Sequence, residues 1–290
     1  MHHLAPDTVK LLNLPTYERR NAILTDKWIA YSQAQQVTQQ LTNLLNHPRI
    51  HRMPNLLVVA DANNGKTTIL RRFATSNGSS WRQQDEQLIC PVLYLHTPIE
   101  LDERQFYRAI LDQTNTPYCL ADRVGQMQRK VMQVLRQAEV RLLIVDDIQN
   151  LLVGNEHKQR SFLHALKHLS IELMLSLVAS GTSAAIRSIE RDEQLAYRFG
   201  LAELPRWTMG EEYLSMLSRF EQLIPLYKAS NLVENGLAYK ILIMSEGLLG
   251  ELARILKLAA VEAIDGRVEC ITQGVLDSLD YLPPSRRGAY

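Results

Sequence analysis

The residues with the clearest chemical potential are Asn63-Asn64-Gly65-Lys66-Thr67-Thr68, which close a short turn beginning at Ala60. An apolar, largely β-branched run, Leu56-Leu57-Val58-Val59, leads into the turn, and Ile69, Leu70 and Phe73 follow it at helical spacing. A strand, a turn of small and polar residues and a helix, in that order, make a phosphate-binding loop. Its backbone N–H groups and the positive end of the helix face an anion. Lys66 then reaches the β- and γ-phosphates of a nucleoside triphosphate, and the Thr67 hydroxyl ligates Mg²⁺. The usual pattern carries glycine where this chain has Ala60. Alanine is unstrained there if φ is negative and strained if φ is positive.

A pair of carboxylates, Asp146-Asp147, ends the run Leu142-Leu143-Ile144-Val145, which reads as a strand buried on both faces. Adjacent acids at such a tip are costly unless a cation or water receives them. Asp146 suits Mg²⁺, directly or through water, and Asp147 suits polarising an attacking water. A further apolar run, Leu173 to Ser180, ends in Gly181-Thr182-Ser183. There the hydroxyl of Thr182 or Ser180 either senses the γ-phosphate or caps a helix. Of Arg187, Arg191 and Arg198, the last stands directly before Phe199 and the turn into Leu201–Leu204. Arg198 is the preferred candidate for stabilising phosphate charge in a neighbouring subunit's site, with a plain surface role as the alternative.

Positioning these groups takes alternating strands and helices. Strands are expected at 56–59, at 89–95 around Pro91, at 142–145, 173–180 and 201–204. Helices are expected at Thr67–Ala74, Leu101–Leu111, Asp122–Ala138 and Lys158–Leu169. The rhythm predicts an α/β fold with a parallel five-stranded sheet and the chemical groups at its carboxyl edge. Ahead of it, a single helix over Ile23–Leu45 either caps the sheet edge or places a base or a partner protein. Ser76–Ser80 and Gly154-Asn155-Glu156 read as loops. From Met209 onward only helices are expected, at Glu211–Leu223, Leu232–Ser245, Leu249–Ile264 and Thr272–Tyr281. The third carries Arg254, which either reaches the γ-phosphate from a lid or sits in a surface ion pair. The domain reading is an N-terminal helical segment (1–50), a nucleotide-binding domain (51–206), a helical lid (207–282) and a basic flexible tail (283–290).

The chain's 290 residues are 46% hydrophobic with a net charge of +1, enough for a large core and excluding a global polycation. Contact with nucleic acid would come from a local patch or from repetition in an oligomer. Cys90, Cys119 and Cys270 lie far apart without metal-ligand spacing and read as reduced thiols. No run approaches the ~20 apolar residues of a membrane span. No signal pattern opens the chain, and His2 and His3 are too few for a tag or a metal site. The expectation is a soluble, cytoplasmic protein.

Together these features resemble the AAA+ ATPases and, more closely, the TniB family of transposition ATPases, relatives of TnsC. The resemblance is carried by Arg52-Met53-Pro54-Asn55-Leu56-Leu57-Val58-Val59, by Asn63-Asn64-Gly65-Lys66-Thr67, and by Arg198-Phe199 with Leu204-Pro205-Arg206-Trp207. Ser245-Glu246-Gly247-Leu248-Leu249-Gly250-Glu251-Leu252 completes it. The resemblance implies an ATP- and Mg²⁺-dependent regulator of DNA transposition that oligomerises, as ring or filament, on double-stranded target DNA. Such a protein links a TniQ-like target selector to a DDE transposase (TniA- or TnsB-like), hydrolysis disassembles it, and its place is the DNA-associated bacterial cytoplasm. By position the resemblance gives Lys66 and Thr67 to phosphates and Mg²⁺, Asp146 and Asp147 to metal and water, and Thr182 to sensing. Arg198 becomes the inter-subunit finger and Arg254 the lid sensor. Asp147 stands where many members carry Glu, one methylene longer, so turnover below ~10 s⁻¹ is expected. DNA contact in such an assembly falls mainly on phosphates, with Arg104, Arg108, Arg123 and Arg129 as candidate carriers. The competing readings are a helicase loader or replication initiator, a nucleotide-gated scaffold with little hydrolysis, and, more distantly, a small-molecule kinase.

Overall fold

The computed structural model describes residues 3–82, 87–97, 102–153 and 155–287. The expected helix start at Leu101, the loop residue Gly154 and the tail's last residues, 288–290, lie outside them. The chain divides into two compact units, Gln33–Leu204 and Met1–Ser32 with Pro205–Tyr290.

Helices α1 (Pro6–Leu11) and α2 (Thr16–Leu24) open the chain, and α3 (Ser32–Leu45) precedes the sheet. The expected single helix over Ile23–Leu45 is therefore two. Thr25 caps α2 in an extended conformation, and carbonyls at the end of α2 and beyond it are engaged by distant cations. Lys257 donates to Leu24 O, and Arg219 to Ala30 O. Apolar periodicity alone cannot register a break held open by partners elsewhere in the chain.

Strand β1 (Asn55–Ala60) leads through α4 (Lys66–Ser76) to a hairpin of β2 (Ser80–Arg82) and β3 (Gln87–Ile89), then to β4 (Val92–His96). Helices α5 (Glu103–Gln113) and α6 (Val124–Gln137) connect to β5 (Leu142–Asp146). A 3₁₀ turn (Ile148–Val153) and α7 (Glu156–Leu173) lead to β6 (Ser176–Gly181), and α8 (Ala184–Ile189) and α9 (Glu193–Ala196) to β7 (Phe199–Leu204). The sheet order is β4-β5-β6-β1-β7, with every pairing parallel. The expected parallel five-stranded sheet is present. Leu57, Val59, Leu93, Leu95, Leu143 and Val145 pack with α5, α6 and α7, where Phe106 meets Phe162 edge-on at 5.0 Å. The alternate residues Leu56, Val58, Leu142, Ile144 and Val178 are buried too. Burial on both faces explains why these strands read as continuous apolar runs.

Two expectations within the sheet shift. The run 89–95 is divided at Pro91, which lacks an N–H for a ladder and whose carbonyl accepts from Arg141 N and Leu142 N. Only its first residue, Ile89, lies in β3, where it pairs with Ser80, the last residue of the expected loop. Leu173 and Met174, expected to begin a strand, end α7 instead, with Met174 in the left-handed conformation (φ 47°). Leu173 is buried and Met174 exposed, and a buried helix end carries the same apolar residues as a buried strand.

The second unit joins α1 and α2 to α10 (Glu211–Leu223), α11 (Asn235–Ser245), α12 (Leu249–Asp265), α13 (Gln273–Ser278) and the turn α14 (Pro284–Arg287). Arg19 of α2 is 4% exposed and is paired with Glu269 at 2.6 Å. The tail, expected to be flexible, is held at Arg287 by both carboxylate oxygens of the buried Glu251. Gly247 (φ +71°) also belongs to this unit: a Cβ there would lie 2.4 Å from Trp207 O, and Trp207 N donates to Gly247 O at 2.8 Å. Two of the segments that carried the resemblance thus meet. Among the described residues no helix is long and apolar enough to cross a membrane.

Candidate functional site

Parallel strands bring all their carboxyl ends to one edge. Register sets His96 beside Asp146, Val59 beside Gly181 and Ala60 beside Leu204. From β1 the chain crosses towards β4, and from neighbouring β6 it crosses to β7 on the other side, so a crevice opens between their tips.

The phosphate loop leaves from Ala60, which ends β1 and is not among the residues of positive φ. Alanine is therefore unstrained at this position. Left-handed conformations fall instead on Asn63 (φ 59°), a type that tolerates them, and on Gly65 (φ 87°). Asn64, 3% exposed, fastens the loop by donating to Leu204 O at 2.9 Å. Lys66, Thr67 and Thr68 form the first turn of α4, whose N–H groups precede its first intrahelical bond, Ile69 N to Gly65 O. The Lys66 ammonium donates to Ala60 O and Asp61 O, both at 2.8 Å. Burial lowers its pKa, against the pull of Asp147, Asp146 and Asp61.

Asp146 is 0% exposed. Its carboxylate accepts from Thr67 Oγ1 at 2.7 Å, Tyr94 Oη at 2.6 Å, Ser180 Oγ and, at 3.1 Å, Asp147 N. Burial would raise its pKa, but these donors outweigh burial and hold it below the ordinary value. The donor set suits Mg²⁺, a hard cation that takes oxygen ligands: an ionised carboxylate and a threonine hydroxyl already converge beside a lysine.

Asp147 adopts φ +60°. Its carboxylate receives Gln149 Nε2 at 3.1 Å and has His96 Nδ1 at 3.8 Å. One ligand atom each of His96, Asp146 and Asp147 lies within 4.8 Å of the others. At the tip of β6 the two sensor candidates separate. Ser180 is committed to Asp146, whereas Thr182 meets Gln149 Oε1 through its backbone N–H at 3.3 Å. The edge therefore gathers Asn63, Asn64, Gly65, Lys66, Thr67, Thr68, Asp146, Asp147 and Thr182.

Other predicted residues lie elsewhere. Arg198 precedes β7, whose Phe199 pairs with Asn55, so it stands about 20 Å along the strand from the phosphate edge. One guanidinium nitrogen of Arg198 is buried without a hydrogen-bond partner. Arg191 donates to Gln159. In the helical unit, Arg254 is exposed on α12 with its guanidinium 5.9 Å from the Tyr281 ring. Arg104 and Arg108 both donate to Leu120 O, while Arg123 and Arg129 are exposed at and on α6.

Sequence reasoning assigned no role to Tyr94, His96 or Gln149. Tyr94 left one signal, a hydroxyl inside the apolar run Val92–Leu95.

The family model described as "Bacterial TniB protein" matches residues 19–209. No curated protein matches the chain. Among solved structures, the ORC1 protein of Aeropyrum pernix in complex with DNA superposes with a TM-score of 0.61 at 15% identity, covering 89% of this chain and 68% of that one. The ORC2 protein of the same organism, in ADPNP–ADP complexes, gives 0.63 at 14%, covering 89% and 70%. AMPPCP-bound DnaA from Aquifex aeolicus gives 0.53 at 15%, covering 82% and 65%. At such identities the likeness concerns the fold, which is that of the AAA+ P-loop ATPases.

Proposed function

The chain belongs to the TniB family, and from that premise and its site we propose that it is an ATPase regulating DNA transposition. In this reading it assembles on double-stranded target DNA when ATP is bound and links a TniQ-like selector to a TniA- or TnsB-like transposase. Hydrolysis then dismantles the assembly. The observation that carries the reading is the Thr67–Asp146 pair at 2.7 Å, set beside Lys66 on a helix-opening loop.

The chain's residues divide the work. The loop N–H groups and Lys66 hold the phosphates, and Lys66 exchanges its two carbonyl partners for phosphate oxygens. Thr67 and Asp146 would hold Mg²⁺, which would supply charge neutralisation at the phosphates. Asp147 orients the water and accepts its proton, while Thr182 marks the γ-phosphate end. Arg198, remote from its own chain's phosphate loop, acts on a neighbouring copy, and Arg254 is the lid sensor. Arg123 and Arg129, with Arg104 and Arg108, meet DNA phosphates, a contact blind to sequence and sensitive to salt.

The test mixes the protein with random duplex DNA and a non-hydrolysable ATP analogue and images the product. Rings or filaments on duplex DNA, with affinity falling steeply as salt rises, are expected. Assembly confined to single strands would favour the helicase-loader reading. Phosphate release by the wild type should exceed that of Asp147→Asn by about 100-fold, since a positioned base contributes 10²–10⁴-fold. Equal rates would leave a nucleotide-gated scaffold.

A further inference from the structure

We propose that Gln149 is a positioning residue for hydrolysis, binding Asp147 to the tip of β6 so that the base and the phosphate-sensing edge move as one body. The inference rests on the ATPase reading above and adds to it a residue that acts through Asp147.

The Gln149 amide uses both ends. Its Nε2 donates to Asp147 Oδ1 at 3.1 Å, and its Oε1 accepts from Thr182 N at 3.3 Å. The chemistry sets this orientation, because a carboxylate can only accept and a backbone N–H can only donate. Gln149 sits in the 3₁₀ turn Ile148–Val153, anchored by Ile148 and Leu151, both 0% exposed. Room for the amide comes from the strand tip itself. A Cβ on Gly181 would lie 2.2 Å from Gln149 Oε1 and 2.7 Å from Ala185 Cβ. The fit thus depends on glycine at one position and a long amide at the other.

Asp147 needs such support. It stands in the left-handed region, and its side chain is 31% exposed. Exposure leaves a short carboxylate free to rotate unless something holds it. His96 Nδ1 is 3.8 Å from the second oxygen, beyond hydrogen-bond length, so Gln149 supplies the closer hold. A carboxylate in place of the amide would keep the acceptor for Thr182 and turn the other end against Asp147.

The test compares full-length wild type with Gln149→Met, which loses both contacts, and Gln149→Glu, which loses only the donor. Kd for a fluorescent ATP analogue should stay within about twofold in both, while kcat for phosphate release falls at least tenfold with KM unchanged. In an Asp147→Asn background, Gln149→Met should cost nothing further, as expected of a residue acting through Asp147. Hydrogen exchange at the Thr182 amide should quicken in Gln149→Met and hold in Gln149→Glu. Wild-type kcat in both variants, an additive loss in the Asp147→Asn background, or unchanged Thr182 exchange in Gln149→Met would overturn the proposal. If Gln149→Met fails to fold, Gln149→Glu decides on kcat alone. Absence of phosphate release from every protein, wild type included, would defeat the ATPase reading, and the exchange measurement would still decide whether the bridge exists.

Discussion

Lys66 and Asp146 are ionisable groups at 6% and 0% exposure, and burial meets a different counterweight at each. Lys66 turns its ammonium onto two loop carbonyls, and burial lowers its pKa against the pull of Asp147, Asp146 and Asp61. Asp146 collects donors from Thr67, Tyr94 and Ser180, enough to overcome burial. An acid poised in this way needs no proton rearrangement before receiving a cation. Ala60 is the simpler residue. It departs from the usual glycine, yet its backbone stays within an extended strand and the turn's left-handed positions fall later, on Asn63 and Gly65. Ala60→Gly should therefore leave nucleotide affinity within about twofold and, at a strand's last residue, cost no more than about 0.5–1 kcal/mol of stability. A tenfold gain in ATP affinity by titration would show that the alanine does strain the loop.

Among the elements, β1 lies between β6 and β7, and its first residue is polar. Asn55, 3% exposed, accepts from Leu177 N at 2.8 Å while its own N–H donates to Arg198 O at 2.9 Å, fastening β6 and β7 to either side of β1. Asn55→Ala leaves the Leu177 N–H buried and unpaired, and a loss of about 1–3 kcal/mol in urea unfolding is expected. No measurable loss would mean that another group takes up that donor. A second polar tie lies where α9 begins. Asp192 accepts from Leu195 N at 3.0 Å and pairs with Lys167 at 2.6 Å. Burial opposes ionisation there, but the Lys167 and backbone donors prevail and the pKa is lowered. A lowered folded-state pKa stabilises above the unfolded value, ~3.9, and that stabilisation is lost as the pH falls through the folded-state value. The stability gap between wild type and Asp192→Asn, about 1 kcal/mol near neutral pH, should thus close as unfolding is followed from pH 7 towards 3. A constant gap would sink the assignment.

At the scale of the whole molecule, residues 1–32 belong with the helices that follow residue 205. The tie is concrete: Arg19 donates to both oxygens of Glu269, 250 residues away, and to Pro225 O, and lies 4.7 Å from the Tyr227 ring centre. Breaking a buried pair strands its partner, so Arg19→Ala should destabilise that unit by about 3 kcal/mol in chemical denaturation. A loss below about 0.5 kcal/mol would make the N-terminal helices a dispensable arm. Nothing in residues 1–32 announces this partnership, because a surface arginine and a buried one are spelled alike.

The phosphate loop, the paired carboxylates, the parallel sheet and the helical character of the C-terminal part are legible in the amino-acid order alone. Each is a local matter: consecutive residues set the turn's backbone, and burial on both faces writes an unbroken apolar run such as Leu142–Val145. What surrounds those groups is set by contacts between distant parts of the chain. Tyr94, Ser180 and Gln149 reach Asp146 and Asp147 from three elements, β4, β6 and the turn after β5. Strand register and order bring them together, and those depend on contacts between residues distant in the chain. For the same reason the break after Leu24, the hairpin before β4 and the union of the two chain ends became legible only in the folded molecule.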